Sequence, residues 1–178
     1  MKLNKFFLIL FSLTIPPIYS YERYTDGNTL IQKAPFVAHV RVEDFHETHG
    51  GNMIEYRVTV IENLKGKLPS YIHVRFPSSS KIINPGPKIT APGSEWVLIL
   101  GKETKEGFYP LRSINNGKID ILTDPVSGEK ILRQNIPGLN GKERKGRKWH
   151  SLGEFKEFTK NAVKKAQKEE AKGAKRKP

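Results

Sequence analysis

The feature that most constrains the fold is a series of short segments in which apolar and polar residues alternate. Residues 38 to 43 and 54 to 61 alternate in this way, and Gly50 and Gly51 lie in the polar segment between them. Successive side chains of a β-strand point to opposite faces, so this period predicts half-buried strands. Two such strands around a glycine-rich turn predict a β-hairpin. Residues 71 to 76 predict a third strand.

Further along the chain, residues 96 to 100 (WVLIL) form a continuous apolar run, which predicts a strand buried on both faces. A long segment with four prolines and two glycines, residues 77 to 94, precedes this run and predicts a loop. Residues 108 to 111 and 118 to 122 flank the turn sequence Asn115-Asn116-Gly117. Five principal strands predict a mainly β fold, built as a small closed barrel.

A helix is predicted at each end of this β-structure. Residues 25 to 35 predict a short helix with Asn28 as its cap and Pro35 at its end. Ser151 and Glu154 have the spacing of a capping box and predict a second helix. Its apolar residues fall on one stripe, which predicts that the helix packs on the barrel: Leu152, Phe155, Phe158, Ala162, Val163 and Ala166. Residues 169 to 178 lack large apolar side chains and are predicted to be disordered.

The first twenty residues have the pattern of a secretory signal peptide. Lys2 and Lys5 precede an almost wholly apolar run over residues 6 to 15, and Ser20 suits the position before cleavage. The alternative is an uncleaved anchor, but a membrane-spanning helix needs about 20 apolar residues. We therefore expect an exported protein, periplasmic or secreted, with no transmembrane segment after cleavage. The chain has no cysteine, which excludes disulfides, thiolate metal sites and thiol catalysis.

Positive charge is concentrated at the carboxyl end. Residues 142 to 178 contain 14 Lys or Arg and 5 Glu, a net charge of +9, whereas residues 21 to 141 contain 15 basic and 13 acidic residues. The sequence thus predicts four parts. These are a signal peptide (1–20), a β-barrel domain (21–141), a basic linker with an amphipathic helix (142–168) and a disordered basic tail (169–178).

Two motifs support a family resemblance. Residues 60 to 69 have the form V-x-x-x-L-K-G-x-L-P, and residues 92 to 100 the form P-G-x-x-W-V-L-I-L. The two motifs follow each other in this order between the two predicted helices. In this respect the chain resembles a group of exported bacterial proteins whose OB-type barrel is similar to tissue inhibitors of metalloproteinases and netrin modules. The resemblance covers residues 25 to 163 and implies a five-stranded, extracytoplasmic barrel used for binding. The zinc-chelating cysteine at the mature amino terminus of the animal inhibitors has no counterpart, because Tyr21 would occupy that position.

Residues 46 to 49 (HETH) are the one cluster that resembles a metal site. On a turn, His46 and His49 would share a metal with Glu43 or Asp44, but the spacing differs from that of a helical zinc motif. Exposed loop residues are the alternative interpretation. Other histidines, His39 and His73, alternate with apolar residues on strands and are expected to face solvent.

Nothing else in the sequence predicts catalysis or a cofactor. Ser78, Ser79 and Ser80 follow a predicted strand but lack a nucleophile-elbow context, so a flexible loop is the preferred interpretation. A phosphate-binding glycine loop is also absent from the sequence. We therefore expect no enzyme and no small-molecule cofactor.

The expected function is non-enzymatic binding of a protein or an anionic surface partner through the barrel and the basic carboxyl-terminal region. Basic side chains neutralise polyanions and release counterions, although such charge runs also serve solubility alone. Metalloprotease inhibition, and a metal-dependent enzyme using residues 46 to 49, are the alternatives. The residues expected to bind a polyanion are Lys145, Arg147, Lys148, Lys156, Lys160, Lys164, Lys168, Lys175, Arg176 and Lys177.

Overall fold

The fold is mainly β, with a short helix before the strands and a long helix after them, as predicted. The computed structural model describes residues 26–48, 53–77, 91–113, 117–133, 142–144 and 147–174. The elements within these residues are α1 (Gly27–Lys33), β1 (Phe36–Thr48), β2 (Met53–Lys65), β3 (Tyr71–Pro77), β4 (Glu95–Leu100), β5 (Phe108–Pro110), β6 (Lys118–Thr123), β7 (Lys130–Leu132), β8 (Lys142–Arg144), β9 (Arg147–Ser151) and α2 (Leu152–Ala174).

The strands lie side by side in the order β5-β3-β2-β1-β4-β6-β7-β9-β8. The predicted hairpin is confirmed: β1 and β2 are antiparallel, with Val42 opposite Val58 and Thr48 opposite Met53. Both strands are longer than the alternation indicates. His46 therefore belongs to β1, where it is paired with Glu55, and its predicted position on a turn is wrong.

The prediction of a closed five-stranded barrel is wrong, because the sheet has more than five strands and is open. The reason lies at the second edge of β4. Residues Glu95 to Leu98 of β4 pair with β6 along this edge. Little of the edge is left for pairing with the residues at the end of β5, which would be needed to close a barrel. A short contact remains, in which Gly101 donates its amide to the Pro110 carbonyl at 2.8 Å. Leu100 and Leu111 form an isolated bridge beside it.

The sheet separates two hydrophobic cores. The first is enclosed by β1 to β5 and includes Trp96, Tyr56 and Phe76, whose rings contact one another. The second lies between the opposite face of β1 and β4 and the two helices. β4 contributes to both, because its residues from Trp96 to Leu100 are all buried. The prediction of a strand buried on both faces is confirmed.

The cap of helix α1 lies two residues earlier than predicted. Asp26, not Asn28, is the cap: its carboxylate accepts hydrogen bonds from the amides of Asn28 and Thr29 at 3.2 and 3.1 Å. An aspartate satisfies two exposed amides of the first turn, which explains its preference for this position. The helix ends before Pro35, as predicted.

Helix α2 begins with the predicted capping box. The Ser151 amide donates to Glu154 at 2.9 Å, and the Glu154 amide donates to the Ser151 hydroxyl at 3.1 Å. The helix continues to Ala174, so the disorder predicted from residue 169 is wrong over residues 169 to 174. Alanine, lysine and glutamate have high helix propensity, which explains the extension. The segment predicted as a basic linker contains β8 and β9.

Several predictions fall on residues that the structure does not describe. The signal peptide over residues 1 to 20 is one, and most of the loop predicted over residues 77 to 94, including Ser78, Ser79 and Ser80, is another. Within the described ranges, no helix combines the length and the apolar character needed to cross a membrane.

Candidate functional site

Helix α2 is amphipathic, as predicted, and its buried side determines which lysines are exposed. Leu152, Phe155 and Ala162 belong to the second core, and Phe158 packs against it. Thr159 is also fully buried, although the apolar stripe did not include it. With these residues packed in the second core, most lysines of the helix lie on its outer side.

Three lysines of the predicted column are exposed along α2: Lys160, Lys164 and Lys168. Lys156 differs from them, because it is closer to the sheet and its ammonium lies 2.5 Å from a carboxylate oxygen of Glu62 on β2. Lys160 lies 3.6 Å from Glu157, a distance typical of weak surface pairs. The column is thus available to solvent over its middle and carboxyl-terminal parts.

The remaining predicted basic residues are described less fully or not at all. Arg147 and Lys148 lie in β9, for which the structure describes the backbone. The others lie outside the described residues: Lys145, Lys175, Arg176 and Lys177. Their part in polyanion binding stays a prediction.

A second cationic feature was not predicted. It is an open pocket of about 520 Å³ at the end of α1, lined there by Gln32, Lys33, Ala34 and Pro35. The ends of β2, β4 and β5 complete the lining with Lys65, Gly101, Lys102 and Arg112. Among the described residues that line it, four are basic and none is acidic. These cations are distant from one another in sequence, so no local pattern indicates the pocket.

Lys65 is held at the end of α1 by two hydrogen bonds. Its ammonium donates to the carbonyl oxygens of Ile31 and Gln32, at 2.8 and 2.7 Å, and thus binds the carboxyl end of α1. This end of a helix attracts cations. Burial lowers the pKa of Lys65, and the carboxylate of Glu170 opposes that shift only partly.

A third polar cluster lies beside the second core. His39 is buried, so the expectation that it faces solvent is wrong. Its Nε2 lies 2.6 Å from a carboxylate oxygen of Glu95. The same carboxylate accepts a hydrogen bond from Lys130 at 2.5 Å. His39 Nδ1 is buried with no hydrogen-bond partner among the described residues. Burial lowers the pKa of His39 despite the hydrogen bond to Glu95. A neutral ring that donates from Nε2 to the carboxylate is consistent with both observations.

The other predicted strand histidine is on the outer surface. The side chain of His73 is 47% exposed, as expected, and its Nδ1 lies 2.9 Å from Glu55. Arg75 donates to the same carboxylate at 2.6 Å and also contacts Glu106 at 2.5 Å. The Arg75 guanidinium lies 4.4 Å from the centre of the Phe108 ring. Each charge in this network has a partner, which is typical of a structural cluster on a sheet surface.

The hypothetical metal site at residues 46 to 49 lies only partly within the described residues. His46 is exposed on β1, whereas His49 lies outside the described residues. Glu43 accepts a hydrogen bond from Thr59 at 2.5 Å, and Asp44 accepts one from the amide of Phe45. Within the ranges that the structure describes, no group of three or more potential metal ligands is found.

Fold and site together define a mainly β protein with a lysine-bearing amphipathic helix and a separate cationic pocket. A scan against known protein families finds no family that matches the chain. A search of curated proteins likewise finds no match.

Proposed function

We propose that the protein is an exported, non-enzymatic binding protein that attaches to an anionic polymer through the outer side of α2. The observation that supports this proposal is the row of exposed ammonium groups on Lys160, Lys164 and Lys168. A helix rises 1.5 Å per residue, so the row is about 12 Å long. Because the opposite side of α2 is packed in the second core, the row has a fixed place on the surface.

The distribution of charge favours the same function. The net charge of +9 over residues 142 to 178 contrasts with +2 over residues 21 to 141. Charge of one sign on one part of a surface steers a polyanion towards that part. Binding then gains free energy from the counterions that leave the polymer.

We further propose an OB-type relationship for the first five strands. Its support is the parallel pairing of β3 with β5 and the short contact that returns from Pro110 to Gly101 on the far side of β4. In this arrangement β1 to β5 contribute most residues of the first core, and β6, β7, β9 and β8 extend the sheet beyond β4. Helix α2 packs mainly on α1 and β2, and it also contacts this extension through β9 and β7.

The test uses residues 21 to 178 and a double-stranded DNA duplex as the probe polyanion. The affinity is measured by fluorescence anisotropy over a series of salt concentrations. The slope of log K against log salt changes by about 0.9 for each phosphate contact. Replacing the three exposed lysines of α2 by glutamine is expected to reduce the slope by about 2 to 3.

A matched control separates this local effect from net charge. Arg41, Lys105 and Arg133 are exposed side chains elsewhere on the surface, and replacing them by glutamine removes the same charge. The control is expected to keep most of the wild-type slope. Equal slopes for the two triple variants would contradict a role for the row on α2.

The basic tail requires a separate variant. Deleting residues 169 to 178 would also remove the end of α2, which continues to Ala174. Replacing Lys175, Arg176 and Lys177 by glutamine leaves the helix intact. If the tail contacts the polymer, this variant is expected to have a smaller salt slope than the wild-type protein. An unchanged slope would exclude a contact between the tail and the polymer.

A further inference from the structure

We propose that the pocket lined by Lys33, Lys65, Lys102 and Arg112 binds a tetrahedral dianion, the phosphate or sulfate group of a small organic molecule. Four basic residues and, among the described residues, no acidic one line this pocket, which favours an anionic ligand. The proposal does not use the exposed lysines of α2 and so does not depend on polymer binding by that helix.

Lys65 is held in place before any ligand binds. Its two hydrogen bonds to the carbonyl oxygens of Ile31 and Gln32 fix the ammonium at the end of α1. A lysine that is already fixed loses little conformational entropy when it binds an anion. Burial lowers the pKa of Lys65, and a bound dianion nearby would raise it again. Ligand binding and the protonation of this amine are therefore linked.

The backbone around Lys65 is equally constrained. Gly66 has a φ of +71°, and a Cβ at this position would lie 2.5 Å from the carbonyl oxygen of Pro35. Asn63 accepts a hydrogen bond from the amide of Leu68 at 3.0 Å and closes the same turn. The motif at residues 60 to 69 thus brings the end of β2 against the residues that follow α1. Its tight turn places Lys65 at the pocket.

The number of donors and the pocket size indicate the class of ligand. Four cationic groups from separate elements can approach an anion from several directions, which suits the oxygens of a tetrahedral group better than the two oxygens of a carboxylate. The volume of about 520 Å³ exceeds what one such group needs and is typical of pockets for small organic molecules. The remaining space would accommodate the rest of the ligand.

The experiment measures the acetylation of individual lysines in residues 21 to 178 by mass spectrometry. Inorganic phosphate, inorganic sulfate and acetate are added in turn, with sodium chloride holding the ionic strength constant. Acetylation requires the neutral amine, so a bound dianion that raises the pKa of Lys65 is expected to slow the reaction of this residue in a saturable manner. Lys105, which is exposed outside the pocket, is expected to react at the same rate throughout.

Changing the pH distinguishes phosphate from sulfate. The second pKa of a phosphate group is about 6, so phosphate carries less charge below that pH, whereas sulfate keeps two charges. Protection by phosphate is expected to weaken between about pH 7.5 and about pH 5.5. Protection by sulfate is expected to persist over the same range.

Two variants test the assignment to the pocket. Replacing Lys33 and Lys102 by glutamine changes two exposed side chains, so the fold is expected to be preserved. This variant is expected to weaken phosphate protection of Lys65 about tenfold or more. The control variant replaces Lys105 and Arg133 by glutamine and is expected to keep the phosphate protection of Lys65. Equal protection by acetate, no saturable protection of Lys65, or equal protection in the two variants would each overturn the proposal. The salt slopes on DNA are a separate measurement.

Discussion

Replacing Gly66 by alanine tests whether the turn after β2 requires a residue without a side chain. Gly66 has a φ of +71°, and an alanine in this region costs about 1 to 2 kcal/mol. A Cβ at Gly66 would also lie 2.5 Å from the Pro35 carbonyl oxygen and 2.6 Å from a ring carbon of Phe36. Because both neighbours are part of the packed turn, we expect the strain of overpacking to add about 1 to 3 kcal/mol.

Gly128 provides a control with the same backbone conformation. Its φ is +70°, but a Cβ there would meet no atom within 4 Å. Gly128→Ala is thus expected to lower the free energy of unfolding only by the conformational cost, which is about 1 to 2 kcal/mol. The difference between the two variants isolates the contact of the new methyl group with Pro35 and Phe36.

Urea denaturation followed by circular dichroism measures this difference. With a urea dependence of about 2 kcal/mol per molar, the midpoint of Gly66→Ala is expected about 0.5 to 1.5 M below that of Gly128→Ala. Equal midpoints would refute the reasoning, because they would mean that the turn relaxes around a Cβ at no cost. The same variant is expected to weaken phosphate protection of Lys65, since the displaced turn carries that residue.

Two further predictions concern the second core. Phe155→Ala is expected to lower the free energy of unfolding by about 3 to 5 kcal/mol, because the ring is fully buried; a loss below about 1 kcal/mol in urea denaturation would contradict this packing. Burial lowers the pKa of His39 in the folded protein below its ordinary value of 6.5. Near and below that pH the unfolded chain therefore binds more protons than the folded protein does. The free energy of unfolding is expected to fall as the pH decreases below about 6.5. This decrease, measured by urea denaturation over a pH series, is expected to be smaller in His39→Gln, and an unchanged pH dependence would exclude His39 as its cause.

Much of the local structure could be predicted because it follows from short-range patterns. The hairpin of β1 and β2 follows from alternation around a turn, and β4 follows from five consecutive apolar residues. The capping box at Ser151 depends on two residues three positions apart. Each of these depends on neighbours in the sequence, so no knowledge of the tertiary structure is needed.

The closure of the sheet and the place of His39 could not be predicted in this way. Alternation on β1 indicates that His39 faces away from the first core, which is correct. Whether that second face meets water depends on α2 and β7, which lie more than ninety residues further along the chain. The pocket has the same origin, because Lys33, Lys65 and Lys102 come together only when the ends of three elements meet.

The chain contains no cysteine, so packing and hydrogen bonding without disulfides must hold together the described part of the protein. Strand β4 is central to that packing, since Trp96 and Leu98 face the first core while Val97 and Ile99 face the second. Displacing β4 would therefore disturb both cores at once, and α2 would lose the surface on which Phe155 packs. The exposed lysines of the helix keep their position on the surface only while both cores remain intact. Binding through that helix is for this reason expected to be lost together with the fold and not before it.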